Sequence, residues 1–200
     1  MLSRSASLFS IGYATKALGD FLAQLKQHNI DVIADVRSVP YSKVFHDYHR
    51  ENLQRHLRAE KVRYVYLGEE LGPRSTNDEH YCDNQVQFDR LQQSNAFQAG
   101  IQRLLDGLAK GFNIALLCAE KDPAVCHRSL LIGHYLKSRL HIDITHIDHC
   151  GQPESETSLE YRLLDETGIH PDMLSDEKAC LERAWREQSR RCAYRRPEAD

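Results

Sequence analysis

Five apolar runs along the chain have the length and flanking residues of β-strands. Between them lie polar segments in which apolar residues recur at helical spacing. In the first such segment, apolar side chains fall at i, i+3, i+4 and i+7, and Thr15 is the expected N-cap. The expected strands are residues 8–13, 31–36, 63–67, 113–118 and 142–147. This alternation predicts a single α/β domain with a mostly parallel five-stranded sheet, flanked by helices on both faces.

The remaining helical segments complete the expected organisation. Residues 1–150 are predicted to form the α/β core, and residues 151–200 a helical C-terminal extension that packs on it. The last dozen residues are expected to fray. Further helices are expected over residues 49–60, 88–91, 101–108 and 123–139, with a stop at Gly111.

Composition excludes several classes of protein. The 200 residues are 41% hydrophobic and carry a formal net charge of −3, so a basic field over the whole surface is absent, although a local basic patch is not excluded. No run approaches the roughly 18 apolar residues of a membrane span, and the N-terminus lacks a signal-peptide pattern. We therefore expect a cytoplasmic protein without a membrane partner, whose six cysteines are mostly thiols.

Polar and glycine-rich segments follow the carboxyl ends of the expected strands. In open α/β sheets these ends form the ligand-binding edge. The segments are Gly12–Thr15, Arg37–Ser42, Gly68–Arg74 and the stretch CAEKDPAVCHR at residues 118–128. The loops at the opposite edge of the expected sheet have the composition of simple connections between elements. The sequence therefore predicts one site, at the carboxyl edge.

The stretch CAEKDPAVCHR concentrates reactive side chains at the expected start of a helix. Asp122 and Pro123 form an N-cap signal, which places Cys126, His127 and Arg128 in or near the first turn. A thiol at such a position, beside cationic groups, is a better nucleophile or ligand. We expect Glu120 and Cys126 to be catalytic, and Cys118, His127 and Arg128 to contact substrate.

The segment after the second strand supplies a second group of candidates. Asp35 is a candidate catalytic acid or base, although pairing with Arg37 is equally consistent with the pattern. Arg37, Tyr41 and Ser42 offer an anion fork and hydroxyl donors. The other strand-end segments add Tyr13 and Arg74 as substrate-binding candidates.

Two other site types are weighed against this interpretation. A phosphate cradle centred on Cys118 is disfavoured, because Glu120 and Asp122 would repel an anion there. A thiolate–imidazole metal site would draw on the cysteines and histidines at 118, 126, 127, 149 and 150, but no CxxC or HExxH spacing is present. No metal is assigned, and the sequence requires no cofactor.

The ordered motifs IGYATK, DVRSVPYS, VRYVYLGEELGPR and LLCAEKDPAVCHRSLL resemble the domain-of-unknown-function 488 family. The resemblance runs from about residue 8 to residue 148. It implies a Rossmann-like α/β fold and no particular activity. The implied motif residues are Asp35, Arg37, Pro40, Ser42, Gly72, Cys118, Glu120, Cys126, His127 and Arg128. Members of the family commonly have histidine where this chain has Tyr13, so the resemblance does not support proton transfer there.

Three functional hypotheses follow from the sequence. The first is an enzyme, a hydrolase or group transferase, acting on a small anionic substrate such as a nucleotide or nucleobase. The second is a metal- or redox-sensing module that uses Cys118, Cys126 and His127. The third is nucleic-acid binding through the basic stretch 183–196, which Glu182 and Glu187 make more typical of a solvated helix face. The oligomeric state stays open.

Overall fold

The computed structural model describes residues 6–171 and 176–197. Its central sheet has six strands in the order β3-β2-β6-β1-β7-β8, of which the first five are parallel and β8 is antiparallel to β7. The strands are β1 Leu8–Gly12, β2 Val32–Asp35, β3 Arg63–Tyr66, β6 Ile114–Cys118, β7 Ile144–Ile147 and β8 Pro153–Ser155, and a separate hairpin is formed by β4 Tyr81–Cys82 and β5 Gln85–Val86. The predicted α/β class and its five parallel strands are confirmed, and β8 is an addition.

Helices cover both faces of the sheet, as predicted. The α-helices are α1 Leu18–Gln27, α2 Arg50–Ala59, α3 Gly68–Leu71, α4 Phe88–Gln92, α5 Asn95–Ala109, α6 His134–Leu140, α7 Glu156–Thr167 and α8 Glu177–Cys192. Side chains alternate between the two faces along each strand. Ile33 and Leu117 therefore pack with α1 and α2, whereas Ala34 and Leu116 pack with α5, α6, α7 and α8. The strands are apolar on both sides because both sides are covered.

Two local predictions are wrong. Thr15 does not cap α1: it has a φ of 59° in a turn where Lys16 N donates to Tyr13 O, and α1 begins at Leu18 after Ala17. The helix expected over 123–139 is interrupted, because Cys126 is extended between a 3-10 turn and a π-helical segment, Arg128–Gly133, that leads into α6. The 3-10 turn closes through a hydrogen bond from Cys126 N to Pro123 O, and the extended Cys126 then contacts Glu120 rather than continuing the helix.

The C-terminal extension packs on the segment that precedes α6. Trp185 of α8 donates its indole N–H to Leu130 O at 2.7 Å and stacks on His134 with ring centroids 3.7 Å apart. Gln188 donates to Ala124 O. Beyond α8, the tail hydrogen-bonds to the hairpin from Val86 N to Tyr194 O. Residues 198–200, part of the end expected to fray, lie outside the described residues.

Among the described residues, no helix combines the length and apolar character needed to cross a bilayer.

The His134–Trp185 contact predicts a pH-dependent stability. Burial lowers the pKa of His134 to about 4, with Arg139 adding to the shift and Asp89 opposing it; Lys137 and Arg186 also lower it, and Glu182 lies 3.9 Å from Nε2. The unfolded chain, with a histidine pKa near 6.5, binds more protons than the folded chain between these values. The free energy of unfolding should therefore fall, by at most about 3 kcal/mol from this site, as the pH drops from about 6.5 to about 4.

Urea unfolding at a series of pH values measures this loss. His134→Gln should flatten the dependence in that window, whereas His46→Gln, on the exposed surface, should preserve it. Equal slopes for wild type and His134→Gln would contradict the assignment.

Candidate active site

The reactive stretch after β6 folds back on itself. Asp122 accepts a hydrogen bond from Ala124 N at 2.9 Å, and Pro123 opens the 3-10 turn that follows. This is the N-cap chemistry that the sequence indicates, confined to a single short turn. The turn reverses the chain, so that Cys126 returns beside the end of β6 at Cys118.

Arg128 holds the loop in this reversed conformation through hydrogen bonds from its side chain. The side chain is fully buried and donates to Ser10 Oγ at 3.2 Å, Glu120 O at 2.7 Å and Lys121 O at 3.2 Å. The loop also passes so close to Gly12 that a Cβ there would lie 1.9 Å from Glu120 O. The guanidinium of Arg128, a predicted substrate contact, is thus buried and bound to loop carbonyls.

Four side chains converge inside the folded stretch. Glu120 Oε2 lies 2.7 Å from Cys118 Sγ and 3.1 Å from Cys126 Sγ. His127 Nδ1 lies 3.5 Å from Cys118 Sγ and 3.8 Å from Cys126 Sγ. Both thiols and the imidazole are buried, whereas Glu120 is exposed as a residue and only its carboxylate tip reaches the thiols. We call these four residues the thiol cluster.

The far side of the His127 ring determines its tautomer. Nε2 lies 2.9 Å from Val36 O, which can only accept, so Nε2 carries a proton. Nδ1, which faces the thiols, is thereby left as the nitrogen that can accept a hydrogen bond or bind an ion.

Burial and the contacts within the thiol cluster shift the pKa values of all four residues. It raises the pKa of Cys118 well above the usual thiol value, and the neighbouring Cys126 adds to the shift. Burial also raises the pKa of Glu120, with the charge of Cys126 as the next cause. For Cys126, burial is outweighed by a hydrogen bond from Cys118 and by the charges of Arg128 and His127, which together lower its pKa well below the usual value. Burial lowers the pKa of His127, but its contact with Cys126 outweighs this and raises it.

Asp35 and Arg37 form a buried ion pair next to the cluster. Arg37 donates from Nε and Nη2 to the two carboxylate oxygens of Asp35 at 2.8 and 2.6 Å, and from Nη1 to Tyr48 O. Tyr64 donates its hydroxyl to the same carboxylate. Asp35, a predicted catalytic acid or base, is fully buried beneath these donors, and it positions Arg37.

A pocket of about 330 Å³ opens over the thiol cluster at the carboxyl edge of the sheet. This cavity lies at the edge of the sheet where the sequence predicts a site. The sequence candidates in its lining are Tyr13, Arg37, Tyr41, Arg74, Cys118, Glu120 and His127. Asp35, Ser42, Cys126 and Arg128 lie outside the lining; Ser42 instead accepts from Phe45 N within its own loop, and Cys126 sits behind Glu120.

Contacts between segments that are far apart in the sequence hold the walls of the pocket together. Tyr13 stacks on Tyr48 with ring centroids 4.3 Å apart, and the Arg37 guanidinium lies 5.1 Å from the Tyr13 ring. Arg74 lies over the ring of Tyr194, at 4.8 Å, and no ion pair of Arg74 occurs among the described residues. Tyr41, half exposed, donates its hydroxyl to Glu51.

Ser38, Cys192 and Tyr194 are among the lining residues that sequence reasoning missed. Ser38 accepts from Arg74 N at 3.0 Å and so joins two of the strand-end segments. It lies within the segment expected to reach the site, so its position was a usable signal. Tyr194 and Cys192 come from the C-terminal tail, and no pattern in that tail indicates a return to the sheet edge.

The remaining sequence alternatives have clear locations. His149 and Cys150 are not part of the thiol cluster, and Cys150 is exposed. In the basic C-terminal stretch, Arg186 and Arg191 pair with glutamates one turn earlier, and Arg196 pairs with Asp78. These pairs match the solvated helix face that the charge pattern favours.

Comparison with known proteins gives one match. The family model described as Domain of unknown function DUF488 matches residues 17–135, more than half of the chain. The matched span contains all four residues of the thiol cluster and the Asp35–Arg37 pair, and begins after Tyr13. No curated protein and no solved structure matches the chain. The chain therefore belongs to the domain-of-unknown-function 488 family.

Proposed function

We propose that the protein is a cytoplasmic enzyme, a hydrolase or group transferase, that acts on a small anionic substrate in the pocket over the thiol cluster. The observation that carries this proposal is the pairing, in one cavity, of a cation without an ion-pair partner among the described residues and a cluster of reactive groups. Arg74 supplies the cation, and three members of the cluster, Glu120, Cys118 and His127, line the pocket.

Arg74 is the guanidinium best suited to bind an anion. The charge of Arg37 is already paired with Asp35, whereas Arg74 is exposed and touches an aromatic ring rather than an acid. A guanidinium in this state can form the paired hydrogen bonds that phosphate and carboxylate groups accept.

Aromatic rings beside the cation favour a nucleotide or nucleobase. Tyr194, which is partly exposed, lies beside Arg74 in this cavity, and the buried rings of Tyr13 and Phe88 form part of its wall. Rings of this kind stack on nucleobases irrespective of base identity. A volume of about 330 Å³ is at the lower end of ligand pockets, which suits a single nucleobase or nucleoside unit rather than a dinucleotide.

Glu120 is the acid–base group in this proposal. It is the acidic side chain of the pocket lining, and its carboxylate is held in place by the two thiols. In hydrolysis it would take a proton from the attacking water while the water oxygen bonds to the electrophilic atom, and return that proton to the leaving group as the old bond breaks. Cys126 lies behind this carboxylate, and so it supports Glu120 rather than attacking substrate.

Anion binding is tested by thermal unfolding with a panel of nucleobases, nucleosides and nucleoside monophosphates. A monophosphate should raise the Tm of the wild type because bound ligand stabilises the folded state. Arg74→Ala should remove that increase. Arg58→Ala, on an exposed position of α2 outside the pocket, should retain it. If no anionic ligand in the panel raises the Tm, the substrate class is wrong.

The acid–base role is tested with Glu120→Gln. Product formation from the stabilising ligand, followed by mass spectrometry, should fall by about 100-fold or more. The ligand-dependent Tm increase should persist, because the amide preserves shape and leaves Arg74 untouched. Glu69→Gln, an exposed acid in α3, is the matched control and should turn over normally. Undiminished turnover by Glu120→Gln would refute the role.

A further inference from the structure

We propose that the thiol cluster binds one divalent transition-metal ion of the zinc class, with Cys118, Cys126 and His127 as buried ligands and Glu120 as the pocket-facing fourth ligand. Two sulfurs, one imidazole nitrogen and one carboxylate oxygen form a donor set typical of zinc in proteins. This inference concerns ion binding alone and does not depend on the anionic substrate proposed above.

The spacing of the four donor atoms fits a tetrahedral ion. All four lie within 4.8 Å of one another. Zinc bond lengths of about 2.3 Å to sulfur and about 2.1 Å to nitrogen give a sulfur–nitrogen edge of about 3.5 Å in a tetrahedron. The two observed edges, from His127 Nδ1 to Cys118 Sγ and to Cys126 Sγ, are 3.5 and 3.8 Å.

The two edges to Glu120 are shorter than a tetrahedron requires. Its Oε2 lies 2.7 and 3.1 Å from the thiol sulfurs, which are hydrogen-bond distances. An ion at the centre would move this oxygen outward by several tenths of an ångström. Glu120 is the exposed member of the cluster, so its side chain has room to move in this direction.

The surroundings of His127 support the same assignment. Nε2 donates to Val36 O, which leaves the lone pair of Nδ1 directed at the thiols. A backbone carbonyl on the distal nitrogen is the usual outer partner of a metal-binding histidine, because it fixes both the tautomer and the ring orientation.

Charge is also compatible with a divalent ion in the thiol cluster. Thiol ligands bind zinc as thiolates and release their protons on binding, so the two cysteines and Glu120 would present three negative charges to the ion. The ion and the buried guanidinium of Arg128, which holds the loop of the cluster, would together balance these charges.

The ligand spacing Cys-x-Glu-x5-Cys-His departs from the sequence patterns of common zinc sites. The fold nevertheless brings the ligands together, because the 3-10 turn at Pro123 reverses the chain between them. The outermost ligand, Glu120, is also the one that water or a substrate oxygen would displace, which would return its carboxylate to an acid–base role.

Metal content is the direct test. Protein purified without an affinity tag, stripped with a chelator and titrated with zinc against a competing chromophoric chelator should bind one equivalent per chain. Cobalt in place of zinc should produce thiolate-to-cobalt charge-transfer absorption. Cys118→Ser and Cys126→Ser should each weaken this band and lower zinc affinity by more than about tenfold. Cys150→Ser, an exposed thiol outside the cluster, should match the wild type.

Because substitution of a buried cysteine can disrupt the fold, Glu120→Gln provides a second test of metal binding. Its side chain is exposed, so the fold should persist; zinc affinity should fall while the thiolate–cobalt band remains. Absence of stoichiometric zinc binding by reduced wild type, or a cobalt spectrum without thiolate absorption, would overturn the inference. Arg74→Ala should bind zinc normally, so a failed metal site and a failed anion site give different results.

Discussion

The guanidinium of Arg128 lies behind the loop that joins β6 to the 3-10 turn and donates to Glu120 O, Lys121 O and Ser10 Oγ. The carbonyls of Glu120 and Lys121 belong to a loop that forms neither helix nor sheet. Leaving such a carbonyl buried without a hydrogen-bond donor lowers the stability of the fold by about 1–3 kcal/mol. By supplying the donors, Arg128 allows an irregular loop to lie against β1. This loop conformation places Cys126 beside Cys118 and directs the Glu120 carboxylate at both thiols. It also forms part of the pocket lining.

The arginines around the pocket divide according to burial. Arg128 and Arg37 are both buried and both bound to groups of the protein itself, the first to carbonyls and the second to Asp35. A buried guanidinium needs hydrogen-bond acceptors or a counter-ion within the protein. Its charge therefore stabilises the fold. Arg74 is exposed and lies over the ring of Tyr194, and it is the arginine to which we assign anion binding in the proposed function. Three arginines that look equivalent as anion binders in the sequence thus have different roles.

Hydrophobic patterning predicted the sheet well, because a strand covered on both faces has a nearly continuous apolar run, as VIA has within DVIADV and IALL within NIALLC. The carboxyl-edge rule then located the pocket. It could not tell which polar side chains face the cavity. Asp35 and Arg128 end inside the protein because partners far along the chain, Tyr64 and Ser10, satisfy them. The interruption at Cys126 and the return of Tyr194 likewise depend on tertiary contacts that local propensity does not contain.

The depth of each cysteine limits the chemistry of the cluster. Cys118 reaches the pocket wall, but Cys126 is separated from the cavity by Glu120, whose oxygen contacts both sulfurs. A nucleophile must approach its electrophile to about 3–3.5 Å along an open line. Cys126 has no such line while Glu120 holds its position. If the pocket binds a substrate, as proposed, Cys126 would act on it through the Glu120 carboxylate, either by sharing its proton or by holding an ion against it.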